Sequence, residues 1–251
     1  MKKILFTIVF AYSFLSNAQQ IDFVEYDLSN GLHVILHQDN RAPVITTSVL
    51  YHVGSKDEEE NRTGFAHFFE HLLFEGTENI ESGEWFKIVE ANGGSNNAYT
   101  TDDSTYYYEV FPSNKLELSL WMESERMLHP IVRETDRMTL QEGVIKEERN
   151  LRYDNAPYGY LLYAVRSNLY KKHPYGRITI GSDEDLEAAN IDDFVNFNKK
   201  YHKPNNAILV VAGDIRIDET KDLIDKYFSD IPKSDDIVRN LPKEEPIIET
   251  I

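Results

Sequence analysis

The sequence predicts an α+β fold, a mainly antiparallel sheet with helices packed on one face. Three observations predict it. The first strands come as a hairpin, with Ser29-Asn30-Gly31 as a tight-turn signal between two short β-rich runs. A long series of helical periodicities follows, and a β-branched run returns late, at 206–213. With 41% hydrophobic residues in 251, the chain can bury a real core as one large domain or two small ones.

In order, residues 23–28 form the first strand and 32–36 its return. Residues 44–53 are β-branched and sit centrally in the sheet. The acidic loop 54–62 delivers the chain to 63–77, where Phe65, Phe68, Phe69, Leu72 and Leu73 recur at helical spacing. Thr63 is placed as the cap of this helix and Gly76 as its end. A helix over 83–91 is expected next, capped by Ser82 and ended by Asn92-Gly93-Gly94. Residues 95–101 lead to an aromatic, β-branched strand at 104–111. Ser113 is placed as cap of a helix at 114–128 whose apolar face is Leu116, Leu120, Trp121 and Met127, stopped by Pro130. Helices at 137–152 (Leu140, Val144, Ile145, Leu151) and 158–170 (Leu161, Leu162, Val165) follow. Residues 173–177 are turn-rich, Ser182 caps a short helix, and 191–201 and 218–228 are helices flanking the buried strand at 206–213.

The formal net charge of −17 argues against a nucleic-acid partner, which needs clustered Lys and Arg. There is no cysteine, hence no disulfide and no thiol chemistry. Lys2 and Lys3 precede an apolar run at 4–15 and Ser16-Asn17-Ala18. This reads as a signal peptide over 1–18, too short for a membrane span, and places the protein in the periplasm or outside the cell. No other stretch is apolar and long enough to cross a bilayer. The expected division is 1–18 signal peptide, 19–230 α+β domain, and 231–251 a charged, Pro-containing linker or tail.

The chemistry centres on His67, Glu70 and His71. Four residues apart on a helix, the two imidazoles share a face, with Glu70 at its edge. Two imidazoles so placed can hold zinc, and an adjacent carboxylate can act as base for water. Such a trio also arises by chance on helices, so a third ligand is required. Its flanks are apolar, however, and a buried helix bearing three polar groups needs partners for them. The densest carboxylate group is Glu142, Glu147 and Glu148. Glu148 is three from Ile145 and four from Val144; Glu147, three from Val144, competes with it.

These segments together resemble the pitrilysin-type inverted zincins, the family of insulysin and the processing peptidases. The resemblance spans about residues 24–230. Leu28-Ser-Asn-Gly-Leu32 is similar to the opening hairpin of the family, and Gly64 to Thr77 to its metal helix. Gly93 to Thr100 is similar to the substrate-side strand, Val144-Ile-Lys-Glu-Glu148 to the third-ligand helix, and His173-Pro-Tyr-Gly176 with Pro204-Asn-Asn-Ala207 to later landmarks. The resemblance implies a zinc endopeptidase with one Zn2+ per chain, held by His67, His71 and Glu148, with Glu70 as general base. Manganese or cobalt also suits such ligands. It implies that a peptide substrate adds as a strand along Asn97, Ala98 and Tyr99, and that the domain is one half of a clamshell completed by a second homologous domain or chain. A Glu is frequent seven residues before the third ligand; here that position is Gln141. The alternative from another class is a non-catalytic peptide- or partner-binding subunit of a peptidase heterodimer.

Overall fold

The computed structural model describes residues 21–130 and 135–246. The signal peptide expected at 1–18 and the last residues of the expected tail lie outside them. Six strands form one sheet: β1 (Val24–Asp27), β2 (His33–Gln38), β3 (Val44–Tyr51), β4 (Ser95–Thr100), β5 (Thr105–Pro112) and β6 (Ala207–Gly213). Their order is β1-β2-β6-β3-β5-β4. All neighbouring pairs are antiparallel except β2 with β6, so the sheet is mainly antiparallel, as expected. β6 is inserted between β2 and β3, which is why its run Ile208-Leu209-Val210-Val211 is apolar without interruption. The β1–β2 turn needs glycine at Gly31: its φ is +88°, and a Cβ there would lie 2.9 Å from that of Asn205. Asn30 is buried beside it and donates to the carbonyls of Phe228 (2.7 Å) and Ile231 (3.0 Å), tying the hairpin to the end of the domain.

Burial alternates along the strands with period two. Ile45, Thr47, Val49 and Tyr51 of β3 and Thr105, Tyr107, Glu109 and Phe111 of β5 are buried, while Leu50, Tyr106, Tyr108 and Val110 on the other face are half-exposed. The covered face carries α1 (Phe65–Leu72) against β4 and β5, α2 (Glu84–Ala91) against β4, and α3 (Leu116–Leu128) against β3 and β5. α4 (Thr135–Arg149) packs on α1 instead of the sheet and unwinds into a π-turn at Asn150–Asp154. Then come α5 (Leu161–Leu169), α6 (Asp183–Glu187), α7 (Ile191–Tyr201) and α8 (Ile217–Phe228), the last lying on α3. Phe65 and Phe68 of α1 meet Phe194 of α7 at ring separations of 4.9 and 4.8 Å. Each such buried ring contributes roughly 1.5–3 kcal/mol.

Three expected caps are not caps. Thr63 binds Asp185 through its hydroxyl, and α1 starts instead from Gly64 at φ +85°. Its free N–H groups are taken by the carboxylate of Glu58, which accepts from Gly64 (3.0 Å) and Ala66 (2.8 Å). Ser82 binds Glu75, and left-handed Gly83 opens α2. Ser113 begins a 3-10 turn that precedes α3. Gly76 lies beyond the end of α1 at Leu72, in a turn of φ +130°. The apolar periodicity of the later helices is also only half buried. Ile145 is fully buried, but Leu140, Val144 and Leu151 are exposed, as are Leu161, Leu162 and Val165. α4 meets the domain through the face of Met138, Gln141, Ile145 and Glu148, spaced three, four and three residues apart.

His202, just after α7, is fully buried among the rings of Phe69 (4.4 Å), Tyr51 (4.7 Å) and Phe197 (5.9 Å). Neither ring nitrogen has a hydrogen-bond partner among the described residues. Burial holds its pKa down at about 3. The unfolded chain therefore takes up this proton first, near the ordinary 6.5. Stability from His202 is complete above pH 6.5 and is lost as pH falls from there toward 3. A His202→Phe variant should lose about 2–3 kcal/mol less than the wild type between pH 6.5 and 4.5. Urea unfolding at the two pH values checks this.

Candidate metal centre

α1 is buried on nearly every side: Phe65, Phe68, Phe69 and Leu72 fill the core, while His67 and Glu70 are buried and His71 half-buried on the opposite face. That second face opens into a cleft of about 440 Å³, floored by α1 and walled by β4, Phe74, Phe86 and α4. α4 brings Glu148 to the two imidazoles. Its Oε2 lies 3.5 Å from His67 Nε2 and 3.4 Å from His71 Nε2. The three potential ligand atoms all lie within 4.8 Å of one another. Glu147 points away and is exposed. Of the two carboxylates, Glu148 is the one the fold brings within 3.5 Å of both imidazoles. What turns Glu148 inward is the Gln141–Ile145 face, and Val144 belongs to the outer one.

The donor set fits a tetrahedral cation. Bonds of about 2.0–2.1 Å to imidazole nitrogen and carboxylate oxygen put neighbouring ligand atoms roughly 3.3 Å apart, close to the two nitrogen–oxygen distances here. Burial, reinforced by the charge of His71, lowers the His67 pKa to about 4, so its lone pair is free at neutral pH. Burial also pulls His71 down, but the Glu148 carboxylate and the Glu70 charge outweigh it and hold that pKa above its ordinary value. The hydrogen bond with His71 holds the Glu148 carboxyl below its usual range. A divalent cation replaces the shared proton in such a group. Glu148 Oε1 is paired at 2.8 Å with the exposed Arg152, four residues on, leaving Oε2 toward the imidazoles.

Glu70 stands on the same face without joining the trio. Burial pushes its carboxyl above the usual range, and Thr100 pulls it back by donating to Oε2 at 2.5 Å. Among the described residues, Thr100 is the donor recorded on this carboxylate, and it takes Oε2. Sequence reasoning missed Thr100 and Arg152. Arg152 has a local signal, its i+4 spacing from Glu148; Thr100 has none, because only strand register brings β4 over α1. Asn97, Ala98 and Tyr99 lie on β4 and line the cleft. β4 is the last strand of the sheet and pairs only with β5 among the described residues. It bears no charge, proline or bulge along Ser-Asn-Asn-Ala-Tyr-Thr, the devices that ordinarily block an open edge.

A sheet with this order and a cleft lined by two imidazoles and a carboxylate make an α+β domain with a candidate metal centre. The comparisons identify the family. The family described as Insulinase (Peptidase family M16) matches residues 33–183, and the chain belongs to it. A second description, Peptidase M16 inactive domain, matches 188–250; that segment supplies β6, so it is integral to this sheet. The chain is 36% identical to the zinc protease PqqE of Helicobacter pylori over 83% of its own length and 47% of the relative's. It superposes on a protease from Helicobacter pylori with a TM-score of 0.81 at 33% identity, covering 89% of this chain and 53% of that one. It superposes on the first half of the periplasmic protease PqqL from Escherichia coli with a TM-score of 0.80 at 25% identity, covering 91% and 51%. The chain spans about half the length of the curated relatives it matches. No helix among the described residues is long and apolar enough to cross a membrane.

The inward turn of Glu148 has a measurable outcome. Glu148→Gln should weaken zinc binding at least about 100-fold, beyond the 10–100-fold typical of losing a partner that only orients a ligand. Glu147→Gln should leave it unchanged. Competition with a chromophoric chelator measures both.

Proposed function

We propose that this chain is the metal-bearing half of a zinc-dependent endopeptidase that works in the periplasm or outside the cell. The observation that carries the reading is the convergence of His67, His71 and Glu148 on one point beside Glu70. The zinc-protease relatives favour zinc as the ion. His67 Nε2, His71 Nε2 and Glu148 Oε2 would hold it. The chemistry the ion supplies is Lewis acidity, polarising a scissile carbonyl and lowering the pKa of attacking water. Glu70 Oε1 takes the proton from that water and returns it to the leaving amine. Thr100 keeps Oε2 occupied, so one oxygen alone is presented. A peptide pairs with the open edge of β4 along Asn97, Ala98 and Tyr99, which fixes its carbonyl over the site.

The location rests on the Lys2-Lys3 and 4–15 pattern, and on likeness to the periplasmic protease PqqL. The half length favours a second reading for the isolated chain: it binds zinc and peptide without turnover until a second homologous domain or chain completes the site. The exposed apolar residues of α4 and α5 support a partner, because solvent-exposed apolar patches of this kind mark contact surfaces.

Zinc content and cleavage of a quenched fluorescent peptide, with and without a candidate second half, separate the readings. Glu70→Gln should keep its zinc and lose about 10²–10⁴ of the cleavage rate. Undiminished turnover in that variant would defeat the proposal. Zinc binding without cleavage by the wild type under either condition would leave the binding-subunit reading in its place.

A further inference from the structure

Gln141 is a polar side chain of α4 that touches a candidate metal ligand without being one itself. Its Oε1 lies 3.2 Å from His71 Nδ1, and its Nε2 donates to Glu75 Oε1. Glu75 is anchored in turn. Ser82 Oγ donates to its Oε2 at 3.1 Å, and Arg137 Nη1 donates to its backbone carbonyl at 3.0 Å. These contacts leave the amide one orientation. A carboxylate oxygen accepts hydrogen bonds, and Glu75 Oε1 meets the NH₂ end of Gln141. The carbonyl end is thereby turned to His71, and a carbonyl oxygen only accepts. His71 Nδ1 must then carry a hydrogen, which leaves Nε2 as the nitrogen facing the point shared with His67 and Glu148.

We propose that Glu75 and Gln141 form a matched pair that positions His71 for the metal. Glu75 sets the amide, and the amide sets both the tautomer and the ring plane of the imidazole. This rests on the metal reading of the site, but it concerns two cleft-lining residues outside the group that would hold the ion. The pairing makes its own demand. A carboxylate at 141 would oppose the carboxylate at 75, whereas exchanging the two side chains restores one donor facing one acceptor.

Two measurements test it. The first is the melting midpoint of the metal-free chain. Gln141→Glu should melt lower than wild type, and adding Glu75→Gln should recover the loss. A double variant no more stable than Gln141→Glu overturns the pairing. The second is zinc affinity by chelator competition, with the His71 Nδ1–H followed by ¹H–¹⁵N spectra of the loaded chain. Gln141→Leu should bind zinc about 10–100-fold more weakly, the usual cost of removing a partner that orients a metal-bound imidazole. Its Nδ1–H should exchange rapidly with water, and Glu75→Gln should shift both readouts the same way by a smaller factor. Unchanged affinity and an unchanged Nδ1–H in both single variants overturn the positioning role. A wild-type chain that binds no zinc overturns the metal reading itself, and the melting series still judges the Glu75–Gln141 pairing.

Discussion

Two residue sets share eight residues of α1, and neither can be moved without the other. Phe65, Phe68, Phe69 and Leu72 are sealed into the core, which fixes the rotation of the helix about its axis. His67, Glu70 and His71 then face α4 and β4 whether or not partners wait there. Buried polar groups without partners cost several kcal/mol between them, and the rest of the domain supplies most of those partners, with His67 Nδ1 left without one among the described residues. Thr100 answers Glu70, Gln141 answers His71, and Glu148 meets both imidazoles. The start of α1 obeys the same demand. A Cβ on Gly64 would lie 2.5 Å from the carbonyl oxygen of Ile180, so the chain enters through a left-handed glycine and borrows Glu58 as its cap.

The far wall of the cleft has a comparable constraint behind it. Arg126 is fully buried, with its guanidinium 4.2–4.6 Å from the rings of Trp85, Tyr107 and Phe74. Glu109 and Glu123 flank it at 3.6 and 3.4 Å. Burial pushes both carboxyls upward, and the mutual charge of the pair pushes Glu109 further, against the pull of Arg126. One cation between two carboxylates and three ring faces is a costly arrangement that tolerates little displacement. Phe74 is part of both this cluster and the cleft, so the cleft wall is held from behind by buried charge.

Much of this was legible because its causes are local. The Ser29-Asn30-Gly31 turn, the alternation of β5 and the helical spacing around His67 each depend on neighbours within a few residues. Cap positions were misread where tertiary structure replaced the local choice. Thr63, Ser82 and Ser113 have the right chemistry for caps, but the first two hydroxyls are claimed by Asp185 and Glu75, and glycines in the left-handed region do the entering. Thr100 could not be found from spacing, since it meets Glu70 across thirty residues through strand placement. Glu148 does face inward, but not because Val144 does. The stripe used to orient it combined residues from two faces of α4, and only Ile145 of that stripe is buried.

That mixed stripe has a physical meaning of its own. Leu140, Val144 and Leu151, with Leu161, Leu162 and Val165, follow a real period but lie exposed among the described residues. Periodicity records which face of a helix is apolar and carries no information on whether this chain supplies the cover. The inner face of α4 has its cover in α1, and it is there that Gln141, Ile145 and Glu148 lie. α4 is therefore amphipathic in an unusual sense: its polar inner residues build the site, and its apolar outer residues remain available. A helix that turns Glu148 inward on one side while presenting Leu140 and Val144 on the other links the geometry of the candidate site to whatever packs on that outer face. A contact that tilted α4 would move Glu148 and Gln141 together, and with them both the position and the orientation of the groups at the metal point.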